Sequence, residues 1–156
     1  MLPCSLIFSS AFGEAMRLIG GECLCGDVLF SIEDNLQYAG FCHCSDCRRF
    51  SGSAFSAYGG IDKKLFTLIR GKERIGRYAK NLDSIMCFCK NCGSSLFVDK
   101  PRAAMIHLRL GVLNEAPSLK PQSHICTESK VQWHQIGDDL PQYSKLPSRP
   151  RVQTRD

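Results

Sequence analysis

Phe41-Cys42-His43-Cys44-Ser45-Asp46-Cys47-Arg48-Arg49-Phe50-Ser51-Gly52 packs three cysteines into six residues and sets two arginines directly after them. In an extended segment side chains alternate in direction, so Cys42 and Cys44 face one way and His43 the other. A turn over Ser45-Asp46 brings Cys47 round to join the first two. Three convergent sulfurs suit zinc, which takes four protein ligands in closed structural sites. Catalytic sites use three, with water or substrate in the fourth position. Whether this trio is open depends on where the other cysteines go.

The 156 residues contain ten cysteines, a lower density than the roughly 8–10 % of a small secreted disulfide scaffold. Seven fall into three tight clusters, Cys23/Cys25, Cys42/Cys44/Cys47 and Cys89/Cys92, with the spacing of metal sites. Thiolate ligands imply a reducing compartment, and a cytoplasmic location is expected. Two clusters share a detail: Gly26 follows Cys25, and Gly93 follows Cys92. A metal knuckle turns the backbone tightly and aims amide N–H groups at sulfur, and glycine permits the positive φ this requires. Cys23, Cys25, Cys89 and Cys92 therefore pair as a closed, structural four-thiolate zinc site. Subtraction leaves Cys42, Cys44 and Cys47 as a second, open zinc site, giving two ions per chain.

An open position next to three thiolates invites a small thiol. Coordination would remove its proton and raise its thiolate fraction, and holding that thiolate against an electrophile adds the larger share of any rate gain. Arg48 and Arg49 stand beside the trio as candidate clamps for substrate carboxylates. Among the other cysteines, Cys87 reads as a buried unliganded thiol. His43 sits beside the open site but points away from it if the segment is extended.

Around these motifs the pattern is that of short strands. Val28, Phe30 and Ile32 share one face of a strand over Val28–Glu33, and a second runs from Leu36 to Phe41. A short helical turn is expected over Ser45–Phe50. Further strands follow at Phe55–Tyr58, Leu65–Ile69, Ile75–Tyr78, Ile85–Phe88 and Ser95–Val98, the last two forming a hairpin tipped by Cys89 and Cys92. Met105–Leu113 alternates most cleanly, with Ile106, Leu108, Leu110 and Val112 inward and His107 and Arg109 on the opposite face. Ser123–Cys126 and Val131–Trp133 complete a mainly β fold of several small antiparallel sheets stapled by zinc, with little helix. One domain over residues 16–143 is expected. It is preceded by an N-terminal extension at residues 1–15, disordered or the product of a start read too early, and followed by a basic tail at residues 144–156.

The formal charge of +5 counts every thiol as neutral. Seven thiolates and two zinc ions lower it to about +2; Lys145, Arg149, Arg151 and Arg155 against Asp156 put +3 in the tail and leave the body near neutral, so a nucleic-acid footprint is weak. No apolar run approaches the ~18 residues of a membrane helix. The chain carries no sign of its oligomeric state.

With its cysteines placed, the chain resembles the glutathione-dependent formaldehyde-activating enzyme family, which also includes centromere protein V. The resemblance runs from about Gly20 to Tyr143. It rests on Gly21-x-Cys-x-Cys-Gly26, Cys42-His-Cys-x-x-Cys-Arg-Arg49 with Ser51-Gly52, Phe88-Cys-x-x-Cys-Gly93, His124-Ile125 and Leu140-Pro-Gln-Tyr143. It implies coiled antiparallel β-sheets and two zinc sites partitioned as above. It also implies a carbon–sulfur lyase activity, the condensation of glutathione with formaldehyde, with glutathione as the small-molecule partner. Met86 stands where members often carry a basic residue, and Cys126 where they often carry an aromatic one. The competing expectation is a non-catalytic zinc-binding module that recruits nucleic acid or protein through the basic tail.

Overall fold

The computed structural model describes residues 16–147. The expected extension at 1–15, with Cys4, lies outside them, as does the tail beyond residue 147. Ten strands follow in order: β1 (Leu18–Glu22), β2 (Leu29–Glu33), β3 (Tyr38–Cys42), β4 (Ser56–Asp62) and β5 (Phe66–Arg70), then β6 (Ile75–Asn81), β7 (Ser84–Cys89), β8 (Ser95–Lys100), β9 (Met105–Arg109) and β10 (His124–Ile125). A single α-helix among the described residues, α1 (Ser45–Ser51), lies between β3 and β4. β1, β2 and β5 form a three-stranded antiparallel sheet. The others form a seven-stranded sheet in the order β10-β3-β4-β9-β8-β7-β6, antiparallel except for the β10–β3 pair. The mainly β class is as the strand pattern predicts.

The core lies between the sheets. Phe30 of β2 stacks on Phe66 of β5 with centroids 5.1 Å apart, and Phe97 of β8 meets Phe66 at 5.0 Å. Ile19, Ile32, Ile61, Ile106 and Leu108 close around them, all nearly without exposure. Burial of such side chains, worth about 1.5–3 kcal/mol each, drives the two sheets together. Because side chains alternate along a strand, the seven-stranded sheet has a second face free for other work.

Three local differences from the sequence reading have physical causes. β1 was not expected, since glycines weaken strand signals; Gly20 and Gly21 lie within it because an added Cβ at Gly21 would meet the Phe30 ring at 2.3 Å. β9 stops at Arg109, and Leu110–Val112 forms a 3-10 turn rather than a longer strand. Val131–Trp133 is not a strand, and Trp133 is 75 % exposed. No helix among the described residues is long and apolar enough to cross a membrane.

Candidate metal centres

Cys23, Cys25, Cys89 and Cys92 converge, their sulfurs all within 4.8 Å of one another. Cys23 and Cys25 come from the turn between β1 and β2, and the other two from the tip of the β7–β8 hairpin, so the cluster joins the small sheet to the large one. Both knuckles are built alike: Gly26 and Gly93 each have φ +76, and each donates its N–H to the carbonyl three or four residues back, Gly26 to Cys23 at 2.9 Å and Gly93 to Cys89 at 2.9 Å. Val28 N–H donates to Cys23 Sγ at 3.2 Å. Ser94 Oγ lies 3.2 Å from Cys92 Sγ and accepts from Leu24 N–H at 3.0 Å, linking the two turns. Hydrogen bonds from Ser94 hold the Cys92 thiol down to about 5. Four sulfurs, with N–H groups aimed at them, fit a tetrahedral zinc.

Cys42, Cys44 and Cys47 form the second set within the same 4.8 Å limit. Cys42 ends β3, Cys44 caps α1 and Cys47 lies in its first turn. The expected helical turn is thus a helix whose start gathers the trio. Cys44 Sγ accepts from Cys47 N–H at 3.4 Å, as a capping oxygen would. Hydrogen bonds from Cys42, and then from Cys47, pull the Cys44 thiol down to about 2, and the same contacts push Cys42 up. Three sulfurs this close cannot all ionise alone, and a cation removes the conflict, so the donor set fits a metal. None of the nine described cysteines is in a disulfide.

The trio stands on the second face of the large sheet. Cross-strand register puts Cys42 beside Ser56, Tyr58 between Gly40 and Arg109, and His107 opposite Gly60 and Val98. These side chains therefore share one face. Arg109, 6 % exposed, donates to Ser56 Oγ at 2.7 Å and lies over the Phe50 ring of α1 at 4.9 Å; its Nε has no partner. The guanidinium is within electrostatic reach of Cys47. Tyr58 lies close to Cys42 and Cys47, and burial raises its phenol so that it stays protonated. Tyr38 Oη and His107 Nε2 are 2.6 Å apart, and burial, with Lys100 and Arg109 nearby, lowers His107 to about 4. Lys80 pairs with Asp46 of α1, and Lys100 lies within electrostatic reach of Cys47 and Arg109.

Arg48 and Arg49 take a different direction. Arg48 Nε donates to the His43 carbonyl at 3.2 Å, and both arginines line a recess with Gly52, Ser53 and Trp133 in which none of the trio sulfurs takes part. His43 points away from the trio, as expected, and is fully buried. Its Nε2 meets His124 Nδ1 at 2.9 Å, and His124 Nε2 is 3.1 Å from Asp138. Burial, then His124, lowers His43 to about 4. Cys87 is a buried thiol within the core, 3.6 Å from the Ile85 carbonyl, as read from the sequence. Sequence reasoning missed Tyr58, Lys80 and Lys100. Only Arg109 and His107 left a signal, the alternation of β9 that put them opposite Ile106 and Leu108.

The model of the glutathione-dependent formaldehyde-activating enzyme family matches residues 18–129. The chain belongs to that family. It is 31 % identical over 77 residues to an uncharacterized lyase of Schizosaccharomyces pombe, covering 49 % of this chain and 54 % of that protein. The chain thus spans about half the length of the curated relative it matches. A solved Rhodobacter sphaeroides protein shares the fold, with a TM-score of 0.50 at 23 % identity, over 64 % of this chain and 91 % of that one.

Proposed function

We propose that the protein is a zinc-dependent carbon–sulfur lyase-type enzyme that adds a small thiol, glutathione, to an aldehyde such as formaldehyde, and catalyses the reverse release. The observation that carries this reading is the three-sulfur cluster set on a cationic, tyrosine-lined sheet face, beside a separate four-sulfur cluster. Cys23, Cys25, Cys89 and Cys92 hold a structural zinc. Cys42, Cys44 and Cys47 would hold the second, which when bound would lower the pKa of a substrate thiol and position its sulfur.

In the addition, one carbon–sulfur bond forms, the carbonyl π bond opens and the thiol proton ends on the former carbonyl oxygen. Tyr58, held protonated beside the sulfurs, offers its hydroxyl to that oxygen as charge develops there. Arg109 fixes positive charge beside Cys47, and its buried, unpartnered Nε is free for a substrate acceptor. Lys80 and Lys100 attract the carboxylates of the thiol substrate, and Arg48 and Arg49 form an outer cationic rim near Trp133. Family membership and the name of the yeast relative support the reaction class, and the unbridged thiols suit a reducing, cytoplasmic setting.

The test follows exchange between labelled formaldehyde and its glutathione adduct by NMR, with fully metallated protein. Acceleration that disappears in Cys44→Ser is the expected result. Exchange at the uncatalysed rate contradicts the proposal.

A further inference from the structure

The tenth strand brings a further sulfur to the trio. β10 joins the large sheet in parallel beside β3, with Ile125 paired to Cys42, and His43 N–H donates to the Ile125 carbonyl at 3.0 Å. Cys126 is the next residue. Its backbone departs from the strand at φ 56 and ψ 38, and Ala104 is the other non-glycine with positive φ among the described residues. This left-handed conformation costs a side-chain-bearing residue roughly 1–2 kcal/mol, and such strain is kept where surrounding structure imposes it, often at functional sites. The imposing contacts are visible: His124 N–H donates to the Pro141 carbonyl at 2.9 Å, and Thr127 N–H to that of Tyr143 at 3.0 Å.

The bend leaves the Cys126 thiol beside the end of β3, within electrostatic reach of Cys42 and Cys44. Tyr58 lies within electrostatic reach of Cys42, Cys47 and Cys126. Cys87 is the contrast: a fully buried core thiol bonded to a backbone carbonyl, with no cysteine neighbour of this kind. Cys126 is half-buried and stands just outside the compact trio.

We infer that Cys126 is the exchangeable fourth ligand of the ion held by Cys42, Cys44 and Cys47. The centre rests as a four-sulfur set and opens when an incoming thiol displaces Cys126. This inference rests on the metal-binding reading of the trio. The proton given up by the entering thiol is taken by the displaced Cys126 sulfur, so the exchange balances without loss to solvent. Because Cys126 is tethered, its effective concentration is of the order of millimolar, and a free thiol competes only in that range.

NMR of the full chain loaded with cadmium at both centres reads the number of sulfurs around each ion from its chemical shift. Two resonances in the four-sulfur range are expected for the wild type. In Cys126→Ser, whose smaller side chain suits the same bend, one resonance moves to the three-sulfur range and the other stays. Adding 2-mercaptoethanol in millimolar excess returns it. The trio's ion in this variant is also lost to a chelator at least about tenfold faster. Wild-type protein with one resonance already in the three-sulfur range, or a Cys126→Ser spectrum that superimposes on it, overturns the inference. Failure of the underlying reading looks different: the wild type would take up a single cadmium ion and give one resonance.

Discussion

The two cysteine clusters use similar donors and differ in what surrounds them. The four-sulfur cluster is made from two matching glycine knuckles at the ends of hairpins, and its first ligand is joined to its last across nearly seventy residues. Its sulfurs are occupied by one another, by backbone N–H groups and by Ser94. The three-sulfur cluster is made from a strand end and a helix start, and its neighbours are Arg109, Tyr58, Lys80, Lys100 and Cys126. The first arrangement spends its donors on holding two sheets together. The second gathers cationic and phenolic groups on the sheet face beside it, Arg109 with an unpartnered Nε among them, and the proposed reaction rests on that difference.

The largest expected effect separates the two outright. Cys89→Ser removes a fully buried ligand of the closed cluster, and structural zinc contributes on the order of 10 kcal/mol in small peptides, comparable to the whole stability of a domain. Circular dichroism should show an unfolded chain at 25 °C. A folded Cys89→Ser protein with one ion lost would erase the distinction. Arg109→Met tests the other side: if the proposed reaction runs beside the trio, removing this cation lowers kcat/KM by about 100-fold, while the metal content of both centres stays at the wild-type value. Loss of the closed centre's ion in this variant would break the comparison.

Smaller effects sharpen it. Lys80→Ala and Lys100→Ala should each raise KM for glutathione about tenfold and leave an uncharged thiol such as 2-mercaptoethanol unaffected; equal effects on both thiols would move the carboxylate site elsewhere. The smallest concerns pH. His107, on the same sheet face as the trio, is held to about 4 against an ordinary value near 6.5. Between those values the unfolded chain binds a proton that the native one does not, so stability falls as pH drops from about 6.5 to 4 and is level above. His43 adds a second such group. His107→Gln should therefore lessen the slope of chemical-denaturation stability against pH in that window without abolishing it. An unchanged slope would place His107 in a wetter setting than its contact with Tyr38 implies.

Much of this was legible in the sequence because metal ligands cluster within turns. The partition into four and three followed from Gly26 and Gly93 alone, and alternation along Met105–Arg109 separated the Ile106 and Leu108 core face from the His107 and Arg109 face. What escaped was set by register between strands. Tyr58 meets the trio because β4 pairs with β3, Arg109 because β9 pairs with β4, and Cys126 because β10 returns in parallel after a long excursion. No local pattern encodes those pairings. Arg48 and Arg49 are adjacent to the trio in sequence, yet the turn of α1 carries them towards Trp133, while Arg109, more than sixty residues away, lies within electrostatic reach of Cys47. Adjacency along a helix start is a poor guide to a shared site, since successive residues there point about 100° apart.

The most direct test of the central claim is the metal content and fold of the double variant Cys44→Ser/Cys47→Ser beside the wild type. The account predicts two zinc ions per chain in the wild type and one in the variant, with the circular dichroism spectrum and melting temperature close to wild type. An unfolded double-variant chain, or one that still binds two ions, would contradict it.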